Sequence, residues 1–337
     1  MNSTSPNIFD YATKELSQDA FFTWLIKWAD KEYAGLPMHE AGIGFLRLLM
    51  NDETYQCDKV KTSNQWKKVD IVATIDKKDF IVIEDKTNSF RHSQQLEKYA
   101  IEAKTHCKNK KLNPPTLIYL KTGNEDERNF PTIESLGYTV ITRGEILQML
   151  KKFSSIENEI FQDFLNYLDK IEQDTQLGYI DLEVLKTNLR ATEGLFMALS
   201  KKMTHNDYYW DLYRGGQLPL FRYNTVKVED YRLKIFVDTK APGVFVKIRT
   251  SNPSIKKNKA IFKALRELTP EHLSISWRKG SKSGKEAILC QVDSPFHPTD
   301  SNKLDLNYLT RTLETLEQII LKYKKQTTAS SIQEAQA

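Results

Sequence analysis

Cysteine is scarce in this 337-residue chain. Cys57, Cys107 and Cys290 are scattered, with no CxxC pair and no metal-ligand spacing. That argues against a thiolate metal site and points to reduced thiols in a cytoplasm. Long apolar runs are missing too: nothing approaches the roughly 18 residues of a membrane-spanning helix, so no membrane partner is expected. The opening MNSTSPNIFDYATKEL has no basic region leading into an apolar one, so no secretory signal is read. The histidines make no HExxH pattern and there is no G-x-S-x-G elbow. The stretch GSKSGKE, Gly280 to Glu286, is too short between its glycines for a phosphate loop, and Glu286 stands where Ser or Thr would follow the lysine. It reads as a hairpin turn, and RGGQ, Arg214 to Gln217, as another turn. Nicotinamide and ATP sites are not indicated, and no internal repeat is found.

What is present describes a soluble globular protein: 40% hydrophobic and 28% charged residues. The length suits two domains. The net charge is +5, but its distribution is uneven. From Phe245 to Lys285 there are eleven lysines and arginines against two glutamates. Such a segment can hold phosphates, or it can be a solvated lysine-rich surface. Lys256, Lys257, Lys259 and Lys263 are its candidate nucleic-acid contacts.

Along the chain, Ser17 is the expected N-cap of a first helix, with Asp19 in its first turn. Phe21, Trp24, Leu25 and Trp28 follow at helical spacing. Gly35 and Pro37 end that element, and a second helix is expected over Ile43 to Met50. Strands are expected over Asp58 to Trp66 and over VDIVATI, Val69 to Ile75. A polar turn at Asp76 to Asp79 then leads into FIVIEDK, so the last two strands form a hairpin. Ser93 is the expected cap of a helix containing Leu96 and Tyr99. Strands at Pro115 to Thr122 and Tyr138 to Thr142 follow, then helices near Glu145 to Phe153 and Glu157 to Glu172. This order describes a mixed α/β domain over residues 1–175. A boundary is read at QDTQLGY, Gln173 to Tyr179. Beyond it a long amphipathic helix is expected over Leu182 to Lys202. Strands near Leu218 to Val228, Arg232 to Thr239 and Val244 to Thr250, a helix near Lys256 to Leu268, a hairpin near Leu273 to Val292 and a helix near Leu304 to Lys325 complete an α+β domain, 176–326. Residues 327–337 are small and polar and read as a loose tail.

The chemistry concentrates after Phe80, Ile81, Val82 and Ile83, where a strand that looks buried on both faces runs into Glu84, Asp85 and Lys86. Side chains alternate along a strand, so Glu84 and Lys86 share one face and Asp85 takes the other. Asp70 opens the partner strand of the hairpin and should lie beside them. Two close carboxylates repel, and a cation relieves this. Lys86 supplies one positive charge. Mg²⁺ would supply more, with one or two carboxylates, water and phosphate oxygens around it. That set suits phosphodiester hydrolysis: the metal stabilises charge and helps ionise water, while the lysine orients or deprotonates the water and offsets negative charge. A surface ion pair is the plain alternative.

Asp70, IEDK at Ile83 to Lys86 and QLEKY at Gln95 to Tyr99 resemble the PD-(D/E)xK nuclease superfamily. The closer likeness is to its bacterial branch with a QxxxY motif on the helix after the catalytic strand. ELSQDAFFTWLIKWAD, Glu15 to Asp30, resembles the first helix of that branch. Val69 stands where the motif has proline, a position at which members vary. The resemblance covers roughly the first 150 residues. It implies a restriction-endonuclease-like αβββαβ core with a mixed sheet, and Mg²⁺- or Mn²⁺-dependent cleavage of nucleic acid, usually DNA. By the resemblance, Asp70 and Glu84 are metal ligands together with the backbone carbonyl of Asp85, and Lys86 is the catalytic lysine. Gln95 and Tyr99, four apart on one helical face, turn toward the site. A further carboxylate from the first helix would be Glu15, with Asp19 second. The Asp85 side chain is read as structural and His92 as a loop histidine.

The leading expectation is a metal-dependent DNA endonuclease in a bacterial defence or restriction-like setting. A single site cuts one strand, so double-strand cleavage favours a homodimer or higher oligomer. A defence-system partner protein fits the same setting. The competing expectation is a non-catalytic nucleic-acid-binding or assembly module on the same fold. RNA cleavage and exonuclease action are enzymatic variants.

Overall fold

The computed structural model describes residues 6–12, 15–87, 94–177, 182–204, 208–211, 220–239, 242–278, 285–299 and 303–336. The chain divides into two compact units, Met1–Gln173 and Asp174–Ala337. RGGQ at 214–217 and most of the glycine-flanked stretch 280–286 lie outside the described residues, as do Ser93 and His92.

The first unit opens with α1 (Ile8–Tyr11), α2 (Glu15–Lys27) and α3 (Pro37–Met50). Helix α2 begins two residues before Ser17, which therefore sits inside its first turn rather than capping it. Pro37 begins α3 at a position where its missing N–H costs nothing, so the second helix is longer than its apolar run suggested. Then come β1 (Val60–Trp66), β2 (Val69–Ile75), β3 (Asp79–Lys86), α4 (Gln95–Lys110), β4 (Thr116–Lys121), α5 (Phe130–Glu134), β5 (Tyr138–Thr142), α6 (Arg143–Lys151) and α7 (Glu159–Gln176). The sheet order is β1-β2-β3-β4-β5. The first three strands pair antiparallel; β3–β4 and β4–β5 are parallel. This is the expected mixed α/β sheet.

Two tight turns set the register. Lys67 and Lys68 join β1 to β2 with φ of 50° and 75°. Asp76 and Lys77 follow β2 with φ of 51° and 55°. Positive φ at both central positions matches the right-handed twist of a hairpin. The Asp76 carboxylate also accepts from the Asp58 and Lys59 N–H groups, tying the start of β1 to this turn. The resulting pairing runs from Ile75 opposite Asp79 to Ile71 opposite Ile83, so Asp70 comes level with Glu84.

Alternation sorts the apolar run of β3 onto two faces. Ile81 and Ile83 join Ile71, Ala73 and Ile75 in the core shared with α2, α3, α6 and α7. Phe80 and Val82 join Val72 in a smaller core against Leu96, Tyr99 and Ala103 of α4. Both faces are covered, so the strand reads as a continuous hydrophobic run.

The second unit comprises α8 (Leu182–Thr187), α9 (Leu189–Lys202), β6 (Tyr209–Asp211), β7 (Leu220–Val228), β8 (Tyr231–Asp238), β9 (Gly243–Thr250), α10 (Ile255–Glu267), β10 (Ile275–Trp277), β11 (Glu286–Val292) and α11 (Leu306–Gln336). Its sheet has the order β10-β11-β9-β8-β7-β6, every pair antiparallel. The long helix expected over 182–202 is broken at Asn188, whose extended backbone lets its side chain accept from Ala191 N–H and start α9 afresh. The loose tail expected at 327–337 is also corrected: α11 continues to Gln336. That stretch contains no Gly or Pro, and Thr327, Thr328 and Ser330 turn their hydroxyls back onto carbonyls of the preceding turn. No described helix is long and apolar enough to cross a membrane.

Candidate active site

The hairpin and the parallel pair β3–β4 bring the charged end of β3 to the middle of the sheet. Glu84, Asp85 and Lys86 are all buried there, with Glu84 only 1% exposed. Asp70, with 18% of its side chain exposed, is the most open of the four. Its Oδ2 accepts from the Asp85 N–H at 3.0 Å, so the carboxylate extends the ladder at the start of β2.

The Lys86 ammonium lies 2.6 Å from Glu84 Oε1, 3.0 Å from the Asp85 carbonyl and 3.5 Å from Asp70 Oδ2. These are the three groups that the family resemblance makes metal ligands, and all of them converge on one cation. Burial pulls the ammonium pKa down, but the Glu84 and Asp70 charges outweigh this and hold it above the ordinary lysine value. Burial and then the Asp70 charge push Glu84 up to about 8 despite Lys86.

Helix α4 reaches the same point. Gln95 Nε2 donates to Glu84 Oε1 at 2.9 Å and to the Tyr99 hydroxyl at 3.0 Å. Tyr99 in turn donates to the Lys68 carbonyl in the β1–β2 turn at 2.8 Å. The helical pair thus fixes one Glu84 oxygen and is itself anchored beside Asp70.

The other face carries a network that sequence reasoning missed. Gln18 Nε2 lies 2.6 Å from both Asp85 carboxylate oxygens, and Gln18 Oε1 accepts from Thr122. Burial, then the nearby Asp19 charge, raise Asp85 well above the usual carboxylate range, with Gln18 opposing. Asp19 is itself pushed up to about 7 by burial and then by Asp70. Lys121, level with Lys86 in the parallel ladder, donates to the Thr87 carbonyl and pairs with Glu125 at 3.5 Å. Glu15 Oε1 accepts from the Thr87 N–H at 3.0 Å. Glu15 and Asp19 are therefore both brought to the end of β3 by α2. No sequence signal marks Gln18, whose contact with Asp85 joins segments 67 positions apart.

A hard divalent cation fits this donor set. Glu84 Oε2 is buried with no hydrogen-bond partner among the described residues, and Asp70, Glu84 and the Asp85 carbonyl offer only oxygen. Among the described residues no three His, Cys, Asp or Glu side chains stand together as a metal site, so the main-chain carbonyl and outside oxygens would have to complete it.

The lysines of α10 are on the surface of the second unit. Lys256, Lys259 and Lys263 are exposed. Lys257 pairs with Asp230 at 2.7 Å and Lys263 with Glu267 at 3.9 Å.

No curated protein and no solved structure matches the chain. A comparison with known families matches residues 6–174, which span the whole five-stranded sheet and every group of the site just described. The chain belongs to the PD-(D/E)XK nuclease superfamily.

Proposed function

We propose that the protein is a metal-dependent nuclease that hydrolyses phosphodiester bonds in DNA, cutting internally, in a bacterial defence or restriction-like role. The observation that carries this reading is the convergence of Asp70, Glu84 and the Asp85 carbonyl on a single cation, the Lys86 ammonium.

Asp70, Glu84 and the Asp85 carbonyl would hold Mg²⁺ or Mn²⁺, with Glu15 close enough to the strand end to contribute. The bound metal would supply positive charge to the phosphate and lower the pKa of a water. Lys86 acts as a charged donor. With its pKa raised, its Nζ keeps its protons at neutral pH and stabilises negative charge on the phosphoryl oxygens. Gln95 holds Glu84 Oε1 in place, and Tyr99 holds Gln95. One such site cuts one strand, so cutting a duplex through calls for two copies.

The test incubates the protein with supercoiled, linear and single-stranded DNA and with RNA, in Mg²⁺, in Mn²⁺ and in chelator. Glu84→Ala and Lys86→Ala run alongside. Metal-dependent nicking or linearisation of supercoiled DNA, lost in both variants, is the expected result. Cutting that survives both substitutions overturns the reading.

A further inference from the structure

We propose that the face of the six-stranded sheet on which no described helix packs is a binding surface for single-stranded nucleic acid. The two faces of this sheet are unlike. One carries Phe221, Tyr231, Leu233, Val246 and their neighbours, in a single apolar cluster to which α8, α9, α10 and α11 all contribute. The unit has no described helix left for the other face.

That other face is written in rows by the strand register. In the first row Tyr209 stands opposite Arg222, Arg222 opposite Phe236, and Phe236 opposite Phe245. The row sets one cation among three rings, and neighbouring cations lie over those rings. The Arg222 guanidinium is 5.2 Å from the centre of the Tyr209 ring, Lys247 is 4.4 Å from Phe236 and Arg278 is 5.0 Å from Phe245. Tyr209 is 48% exposed.

The next rows are cationic. Lys234 is directly opposite Lys247, and Arg232 directly opposite Arg249. Like charges in direct cross-strand pairs destabilise a sheet. Two such pairs side by side are a cost that a polyanion would relieve. Inside the protein, Glu286 serves both pairs, bonded to Lys234 at 2.5 Å and opposite Arg249 in the register. Buried Arg222 Nε and Thr225 Oγ1, on the same face, have no hydrogen-bond partner among the described residues.

Phe245 is buried and Phe236 half-buried, so Tyr209 is the ring of this row open to a base. Cations that follow a backbone beside a ring on which a base can stack are the chemistry of single-strand recognition. Duplex DNA keeps its bases stacked on each other, offers the rings nothing, and would need only the charges. The face belongs to the second unit and does not depend on whether the first unit cuts.

The test measures binding by fluorescence anisotropy with the full chain in chelator, where metal-dependent cutting is off. The probes are labelled oligo(dT), oligo(rU) and a duplex of equal length. Wild type should bind the single strands more tightly than the duplex. Tyr209→Ala should weaken single-strand binding about tenfold and leave duplex binding unchanged. Arg232→Glu with Arg249→Glu should weaken every probe at least tenfold and lower the slope of log affinity against log salt by about 1.4 on the single strands. Both substitutions fall at exposed positions, and melting curves accompany them. Lys256→Glu with Lys259→Glu, at the α10 candidates read from the sequence, should weaken binding far less than the sheet-face pair does. The proposal is overturned if wild type binds no strand, if the α10 variant takes the loss instead, or if duplex binds equally well with Tyr209→Ala silent. Failure here leaves the cutting assay on Glu84 and Lys86 untouched, and failure there leaves this result standing.

Discussion

Lys86 Nζ and Glu84 Oε1, two residues apart on β3 and on one face of it, lie 2.6 Å from each other inside the protein. The ammonium stands among the oxygens proposed to hold a metal, so it partly serves as their counter-ion. Lys86→Met keeps the side-chain bulk and removes the charge. Glu84 and Asp70 then face each other without a cation. The loss of stability should be on the order of 3 kcal/mol, since breaking a buried pair leaves a charge uncompensated. Mg²⁺ should recover part of the lost melting temperature in the variant and change the wild type less. A variant that melts like wild type in chelator would show that Lys86 is not neutralising this site.

The Gln95–Glu84 hydrogen bond makes a separate prediction. Gln95→Ala releases Glu84 Oε1 from α4 without touching Asp70 or Lys86. Partners that orient a metal ligand are worth about 10–100-fold in affinity or activity. The apparent Mg²⁺ requirement should rise by that factor in a titration of cutting rate against metal. Tyr99→Phe removes the hydroxyl that Gln95 and the Lys68 carbonyl share. It should cost about 1 kcal/mol in stability and move the Mg²⁺ curve in the same direction, less far. An unchanged Mg²⁺ curve in both variants would assign Gln95 and Tyr99 to packing alone.

These contacts were legible to different degrees before any fold was known. Strand alternation alone put Glu84 and Lys86 on one face and Asp85 on the other, because a period of two has no other solution. The hairpin brought Asp70 to them, and helical spacing joined Gln95 to Tyr99. What could not be read depends on contacts between distant segments. Gln18 clasps Asp85 across 67 positions of sequence, and nothing local marks a glutamine in an apolar helix as its partner. The alternation of Arg232, Lys234 and Phe236 is visible in the sequence, but that Lys234 meets Lys247 and Arg232 meets Arg249 follows only from the register of β8 on β9. Asn188 was overlooked because one capping residue within an amphipathic run barely alters its periodicity.

Gly123 offers a test of how closely the end of β3 is held. A Cβ at this position would lie 1.7 Å from the Thr87 carbonyl oxygen, so only glycine fits. That carbonyl also accepts from Lys121. Gly123→Ala must push Thr87 away, and Lys86 is the residue before it. The cost in stability should be about 1–3 kcal/mol, as for other overpacked sites. Cutting should fall far more than the lost stability explains when both are measured at a temperature where the variant remains folded. Full cutting by a folded Gly123→Ala protein would mean that the strand end can shift without harm to the site.

The raised pKa of Glu84 sets a pH dependence with a definite sign. Its carboxyl titrates near 8 in the folded protein, pushed there by burial and then by Asp70, against roughly 4.3 in an unfolded chain. Between those values the folded protein holds a proton that the unfolded chain has released. The stability contributed by that proton is complete below about 4.3, declines as the pH rises and is gone above about 8. Glu84→Gln cannot ionise, so the stability of this variant minus that of wild type should grow from pH 5 to pH 8 in chelator, read from denaturant midpoints at each pH. A metal held by Glu84 would need the ionised carboxylate, so Mg²⁺ binding to wild type should release protons below pH 8. Calorimetric titrations in two buffers of different ionisation heat would measure this release. A constant difference between variant and wild type across the whole range would place the Glu84 pKa back among ordinary carboxylates.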